Sequence, residues 1–344
     1  METPGSAGWR GAPARLYRSA ARHETLLWWL HSSYALALGA AVMWLGSRNF
    51  SWLRYSGFYL LTIWILSLLL ADIVNVREGP WWGRARLAVN YVSKNLYQQL
   101  LFFILPIYAA SATFRSRNLV FLVALAASAV SSTLDLFFDR IVSVRRWSAA
   151  WFFAFNTFAV VNVALPVLFG VSTHRSLRVS AVAAAGGFVS IAWRRPRLRR
   201  WPAMAAVAAG AAAIIWAADA ARPFVPPAPL RLVSTEFGSG LDRATISVTG
   251  RLAALPPGFT GRIYVSTALR APLGLEDRIE MRWYRDGALL WASAPHAVSG
   301  GRPGGFRLWS SITISSGAVG KPLRLDVVTE AGQLIGRAVL NSPS

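Results

Sequence analysis

The sequence predicts an α-helical transmembrane bundle of about seven helices followed by an all-β, sandwich-like domain. Three observations carry that prediction. Apolar stretches of about twenty residues recur between residues 26 and 220, each near the ~20 residues that a helix needs to cross ~30 Å of hydrocarbon. Short arginine-rich loops separate them, the densest being residues 194–200, which hold five arginines. Beyond Arg222 the pattern becomes period-two alternation broken by Gly, Pro and Asp, the signature of half-buried antiparallel strands.

Composition agrees. At 344 residues the chain has room for two domains. Apolar residues make up 54% and charged residues only 15%, a balance that points to an integral membrane protein and away from a large soluble enzyme. The net charge of +21 is almost wholly arginine, since Lys94 and Lys321 are the only lysines. Nucleic-acid sites gather their basic residues on one folded surface. Here the excess sits in loops between apolar runs, where topology explains it, so no nucleic-acid partner is expected. With no cysteine, disulfides, thiol catalysis and zinc-thiolate sites are excluded.

Taken in order, residues 1–24 carry Arg10, Arg15, Arg18 and Arg22 among Gly, Pro and Ala and read as a basic cytoplasmic tail. Residues 25–221 form the transmembrane domain, with crossings expected at 26–45, 56–76, 96–114, 119–139, 149–171, 177–193 and 202–220. The first has a basic lead and the triplet Ala35-Leu36-Ala37, as a signal peptide would. Its apolar stretch continues past that triplet, so an uncleaved helix is expected. Residues 81–95 alternate Trp81, Trp82, Leu87 and Tyr91 with Arg84, Arg86 and Lys94, the pattern of an interfacial amphipathic helix. Pro106 and Pro166 are expected to kink their helices. The sixth and seventh segments are nearly all Ala, Gly and Val, which favours a close-packed hairpin.

Charge sets the orientation. With the N-terminus inside, cytoplasmic segments hold sixteen cationic residues: the four of the tail, Arg77, Arg84, Arg86, Lys94, Arg140, Arg145, Arg146 and the five of residues 194–200. The opposite side holds seven: Arg48, Arg54, Arg115, Arg117, Arg175, Arg178 and Arg222. The positive-inside rule therefore puts the N-terminus in the cytoplasm and the C-terminal domain outside. Tryptophans near segment ends, among them Trp28, Trp52, Trp147, Trp193 and Trp201, fit an interfacial belt.

Residues 222–229 contain Pro223, Pro226, Pro227 and Pro229 and read as a stiff, extended linker. Residues 230–344 follow as the β domain. Ile279, Met281 and Trp283 alternate with Glu280, Arg282 and Tyr284, and Leu323, Leu325 and Val327 with Arg324 and Asp326. Asp286-Gly287 between two such runs is a two-residue hairpin signal. About eight short strands in this length suggest a sandwich.

An ordered series of landmarks runs through this domain: Trp283-Tyr284-Arg285-Asp286-Gly287, then Arg307-Leu308-Trp309-Ser310-Ser311, then Gly332-Gln333-Leu334-Ile335-Gly336. Over residues 230–341 the chain resembles the C-terminal domain of an uncharacterised group of bacterial membrane proteins, in which helices precede a small all-β module of unknown function. It departs from that group at Leu323, where an aromatic is expected, and at Val339, where Phe is expected. The resemblance implies a bacterial inner-membrane protein and no particular activity. On this reading Trp283 and Trp309 are core aromatics.

No catalytic signature stands out. The four histidines, His23, His31, His174 and His296, have no ligand spacing. There is no G-x-S-x-G elbow, and the glycines of residues 300–305 are not followed by the Lys and Ser/Thr of a phosphate loop. No enzyme, metal or cofactor is expected. Two constellations remain. Under the topology above, Asp72, Asn75, Gln98, Gln99, Asp135, Asp139 and Asn156 fall in one layer near the cytoplasmic face. That layer is either a structural network of ion pairs and hydrogen bonds or a proton, ion or ligand site. In the β domain, Tyr284, Trp291 and Arg307 are candidates for a stacking surface. The functional expectation is an anchoring, binding or interaction module of the cell envelope. Its C-terminal domain is periplasmic, and its partners are the lipid bilayer and an envelope protein, peptide or glycan. The alternative is a small transporter or sensor using the polar layer.

Overall fold

The computed structural model describes residues 33, 34, 37, 41, 53–76, 79–134, 146–193, 201–256, 258–302, 304–314 and 322–342. The tail, most of the first expected crossing and the loop 194–200 lie outside them. Among the described residues six helices precede the β domain: α1 (Leu53–Val76), α2 (Pro80–Ser111), α3 (Asn118–Thr133), α4 (Arg146–Phe169), α5 (Thr173–Trp193) and α6 (Trp201–Ala220).

Pro80 opens α2, where its missing N–H costs nothing. The expected interfacial helix and third crossing turn out to be one continuous 32-residue helix. The reason is local: no Gly or Pro falls between Gly83 and Pro106 to stop it. Pro106 and Pro166 both sit inside helices that continue past them. α3 stops earlier than its apolar pattern, at Thr133. The hydroxyls of Ser132 and Thr133 there bond back to the carbonyls of Ala129 and Val130 at 2.6 and 2.7 Å, a local competition that weakens helix ends. Among the described residues three helical stretches, Trp147–Phe169, Thr173–Trp193 and Trp201–Ala220, are long and apolar enough to cross a membrane, against the seven expected from sequence over the whole chain.

The helices share a core around Leu101, Tyr108, Leu125, Ala159, Leu177 and Phe188, none more than 1% exposed. Phe188 is the key to the α4–α5–α6 packing. Its ring lies 4.9 Å from that of Trp151, and Gly210 of α6 rests against it so closely that a Cβ would come within 2.6 Å. Small residues thus let α5 and α6 approach as a tight hairpin. Large apolar side chains also face outward, including Leu66, Val120, Val123 and Trp216, the surface a lipid environment would cover.

The β domain has nine strands: β1 (Arg231–Asp242), β2 (Ser247–Arg251), β3 (Gly261–Arg270), β4 (Glu276–Arg285), β5 (Ala288–Ala292), β6 (His296–Ser299), β7 (Phe306–Ile314), β8 (Leu323–Thr329) and β9 (Leu334–Leu340). One sheet has the order β2-β1-β3-β7 and the other β5-β4-β8-β9, with β6 also on β4. Every pairing is antiparallel. Asp286 and Gly287 both have positive φ, 50° and 81°, the two-residue turn that matches strand twist between β4 and β5. Trp283 is fully buried, and its indole N–H donates to Ser310 Oγ of the facing sheet at 2.9 Å.

The linker is the main departure from expectation. Residues 222–224 form a single 3-10 turn, and residues 225–228 are buried. Val225 and Ala228 pack into the helical core while Leu230 enters the sandwich core. Here apolar Val225 and Ala228 sit between its prolines and the two cores close over them.

Candidate functional site

Three places bring functional side chains together. The first is the seam between the helical part and the sandwich. Ser172 accepts the first helical hydrogen bond of α5 from Ser176 N–H at 2.9 Å, so the N–H of Thr173 has no partner within the helix. Asp277 of β4 supplies one. Its Oδ2 accepts from Thr173 N–H at 2.9 Å and from Thr173 Oγ1 at 2.6 Å, and its Oδ1 accepts from Arg278 N–H at 2.9 Å. A negative side chain at a helix N-terminus is favoured by the helix dipole, and these bonds give both oxygens of Asp277 partners although it is only 9% exposed.

Two further bonds join the halves: Asn118 Nδ2 to the Leu334 carbonyl at 3.2 Å, and Gln333 Nε2 to the Val225 carbonyl at 3.1 Å. Gly170, in a left-handed conformation at φ 65°, lies so near Gly274 that a Cβ would meet its carbonyl at 2.3 Å. A cleft of about 1010 Å³ opens beside these contacts, with His174, Arg175 and Arg222 on one wall and Glu276, Arg278 and Glu330 on the other. Arg222 pairs with Asp219 beside the cleft at 2.6 Å and Arg278 with Glu330 at 3.5 Å. The lining Arg175, Arg222 and Arg278 are matched in number by Glu276, Asp277 and Glu330, so no single sign dominates. Sequence gave no warning of this seam, because Asp277 reads as an ordinary polar strand position.

The second place is the polar layer between the helices. Gln98 and Asn156 are both buried, at 1% and 0% exposure, and both are tied to α3. Gln98 Nε2 donates to the Ser132 carbonyl, and Ser128 Oγ donates to Asn156 Oδ1 at 2.7 Å. Ser128 and Ser132 are one turn apart, which is why one helix face serves both amides. Among the described residues Gln98 Oε1 and both polar atoms of the Gln99 amide have no hydrogen-bond partner. Asp135 and Asp139 lie outside the described residues, and of Asp72 only the backbone, within α1, is described.

The third place is a groove of about 510 Å³ at the open side of the sandwich. Trp291 and Arg307 line it together, with Arg262, His296 and Trp309. Tyr284 does not join them. Side chains along β4 alternate, so burying Trp283 sends Tyr284 to the opposite face, where the Arg324 guanidinium lies 4.3 Å from its ring centre. Trp309 is a correction of a different kind: it is 38% exposed and not a core aromatic. Buried Leu308 and Ser310 fix the inward phase of β7, and Trp309 is out of phase with them, a signal present in the alternation itself.

The loop 243–246 folds over this groove. Asp242 accepts from Ala244 N–H at 2.9 Å and from Thr245 Oγ1 at 2.7 Å, bonds that hold its carboxyl below the usual carboxylate range. Arg307 Nη1 donates to the Thr245 carbonyl at 3.0 Å, and Arg243 lies 5.8 Å from the centre of the Trp309 ring.

Comparison with known families adds two matches. The family of unknown function DUF5924 matches residues 10–257, and the family described as a protein of unknown function, DUF2914, matches residues 276–339. The first takes in the helices with β1 and β2, and the second begins at the first residue of β4. The sandwich therefore draws on both. No curated protein matches the chain.

Proposed function

Starting from the fact that the chain belongs to the DUF5924 family of unknown function, we propose that it is a multi-pass protein of the bacterial inner membrane that holds a β-sandwich against the periplasmic face as a binding or interaction module. The observation that carries this reading is the seam. The start of α3, the end of α4 and the start of α5 all touch the sandwich, through Asn118, Gly170 and Thr173. Successive helices therefore alternate in direction, as membrane crossings do. The loops on the sandwich side are those that hold the fewer cationic residues in the sequence count, which supports an outside sandwich. The finer expectation of seven crossings adds α1, α2, α3 and the apolar stretch 26–45 to the three qualifying helices. A sandwich fixed by an interdomain helix cap presents one orientation to its surroundings, as an interaction module needs. The reading includes no catalytic step.

Impermeant thiol labelling tests it, on a chain with no native cysteine. A cysteine at Ser299 is expected to react in spheroplasts and one at Leu198 to stay protected. The reverse pattern removes the periplasmic reading.

A second reading, a transporter or sensor, is favoured by one observation: the buried Gln99 amide without a partner among the described residues. If that amide serves a solute, Gln99→Leu abolishes solute-dependent thermal stabilisation. If it does not, the variant is neutral or stabilised, because an unsatisfied buried amide is costly.

A further inference from the structure

The sandwich groove is a strand-edge site. Five consecutive residues of β7, 307–311, line it. Successive side chains of a strand point to opposite faces, so a cavity that touches all five runs along the edge of the strand and not across either face. β7 is the last strand of its sheet, so among the described residues the N–H and C=O groups on its far side face no neighbouring strand. Exposed edges invite another strand, and proteins ordinarily blunt them with lysine, proline, bulges or short length. β7 has none of these: it runs nine residues, contains no Lys or Pro, and pairs with β3 in unbroken register.

The walls indicate what pairs there. On one side stand Trp309, Arg307 and Arg262, and on the other Trp291 and His296. No carboxylate is among the described residues that line the groove. Arg307 uses one N–H on the Thr245 carbonyl and keeps further donors for a ligand. A strand added to β7 turns alternate side chains to the two walls.

We propose that this groove takes an extended, acidic segment of a partner polypeptide, which adds as a further strand to β7 with carboxylates at alternate positions against Arg262 and Arg307 and apolar side chains between Trp291 and the strand edge. Main-chain bonds to β7 supply affinity, and the two walls supply specificity. The inference rests on the reading of the sandwich as an interaction module and names its partner's chemistry.

The test uses full-length protein in detergent and a fluorescein-labelled decapeptide of alternating Glu and Val. Saturable binding is expected, with amide hydrogen exchange slowed at residues 307–311. Replacing Glu by Lys, or methylating the peptide's backbone nitrogens, is expected to abolish it. Arg262→Glu and Arg307→Glu are each expected to weaken it by about tenfold or more. Absent binding, binding indifferent to both arginines, or protection elsewhere overturns the proposal. So does binding of polygalacturonate with the same arginine dependence in place of the peptide, which reassigns the groove to an anionic glycan. Protection of residues 307–311 that rises with protein concentration and without peptide also overturns it, in favour of a second copy on that edge. The labelling at Ser299 and Leu198 is read without peptide. Lost binding with normal labelling thus removes only this inference, and reversed labelling with intact binding removes only the envelope placement.

Discussion

Asp277 of β4 caps the first turn of α5 from 104 residues away, its carboxylate accepting both the N–H and the hydroxyl of Thr173. One side chain thus satisfies an open helix end and locks the two halves of the molecule together. Asp277→Ala is expected to cost about 0.5–2 kcal/mol, the range for a lost helix cap. Asp277→Asn keeps an acceptor and is expected to cost less. The sharper readout is cooperativity: calorimetry of Asp277→Ala is expected to separate helical and sandwich transitions that overlap in the parent.

Gly170 and Gly258 share a left-handed backbone, φ 65° and 68°, but not their surroundings. At Gly258 a Cβ meets nothing within 4 Å, whereas at Gly170 it meets the Gly274 carbonyl at 2.3 Å. Gly258→Ala is expected to cost roughly 1–2 kcal/mol of backbone strain. Gly170→Ala adds an overpacking penalty and is expected to reach roughly 2–5 kcal/mol. Equal thermal shifts for the two variants in the full-length protein would show that the Gly170–Gly274 approach is not tight.

Asp326 and Arg337 face each other across β8 and β9 with two parallel bonds, 2.7 and 2.8 Å. The bond to Asp326 holds the Arg337 guanidinium above its ordinary pKa against the downward pull of burial. Asp326 is 5% exposed, so Arg337→Met leaves a buried carboxylate with only the longer contact to Arg324 Nε at 3.5 Å. The expected cost is about 2–3 kcal/mol, below the fully buried range because Arg337 is partly exposed. Asp326→Leu with Arg337→Met is expected to recover most of that loss by chemical denaturation.

The depressed pKa of Asp242 gives the loop 243–246 a pH dependence. Its ordinary value is 3.8, and its folded value lies lower. The carboxylate's hold on Ala244 and Thr245 is therefore complete above pH 3.8 and lost as pH falls through the lower folded value. Amide exchange at Ala244 and Thr245 is expected to accelerate below that point beyond the intrinsic pH trend, and Asp242→Asn is expected to remove the pH dependence.

Local periodicity determined the two-part architecture without help from tertiary structure. The apolar runs encode helices, the alternation around Ile279, Met281 and Trp283 encodes strands, and Asp286-Gly287 encodes the turn between two of them. These signals are legible because each depends on residues within a turn or a strand of one another. The same logic placed Gln98 and Asn156 in one layer, and it put Trp291 and Arg307 on one list. It failed wherever distant elements decide the outcome. Tyr284 was separated from that pair by the burial of Trp283, and Trp309 was turned outward by the inward phase set at Leu308. The proline-rich linker became buried because two cores closed on Val225, Ala228 and Leu230. Only the folded chain brings Thr173 to Asp277 and leaves β7 without a further strand partner, among the described residues, in a groove lined by Trp309 and Trp291. Both are contacts between segments that share no period, and no local pattern encodes them.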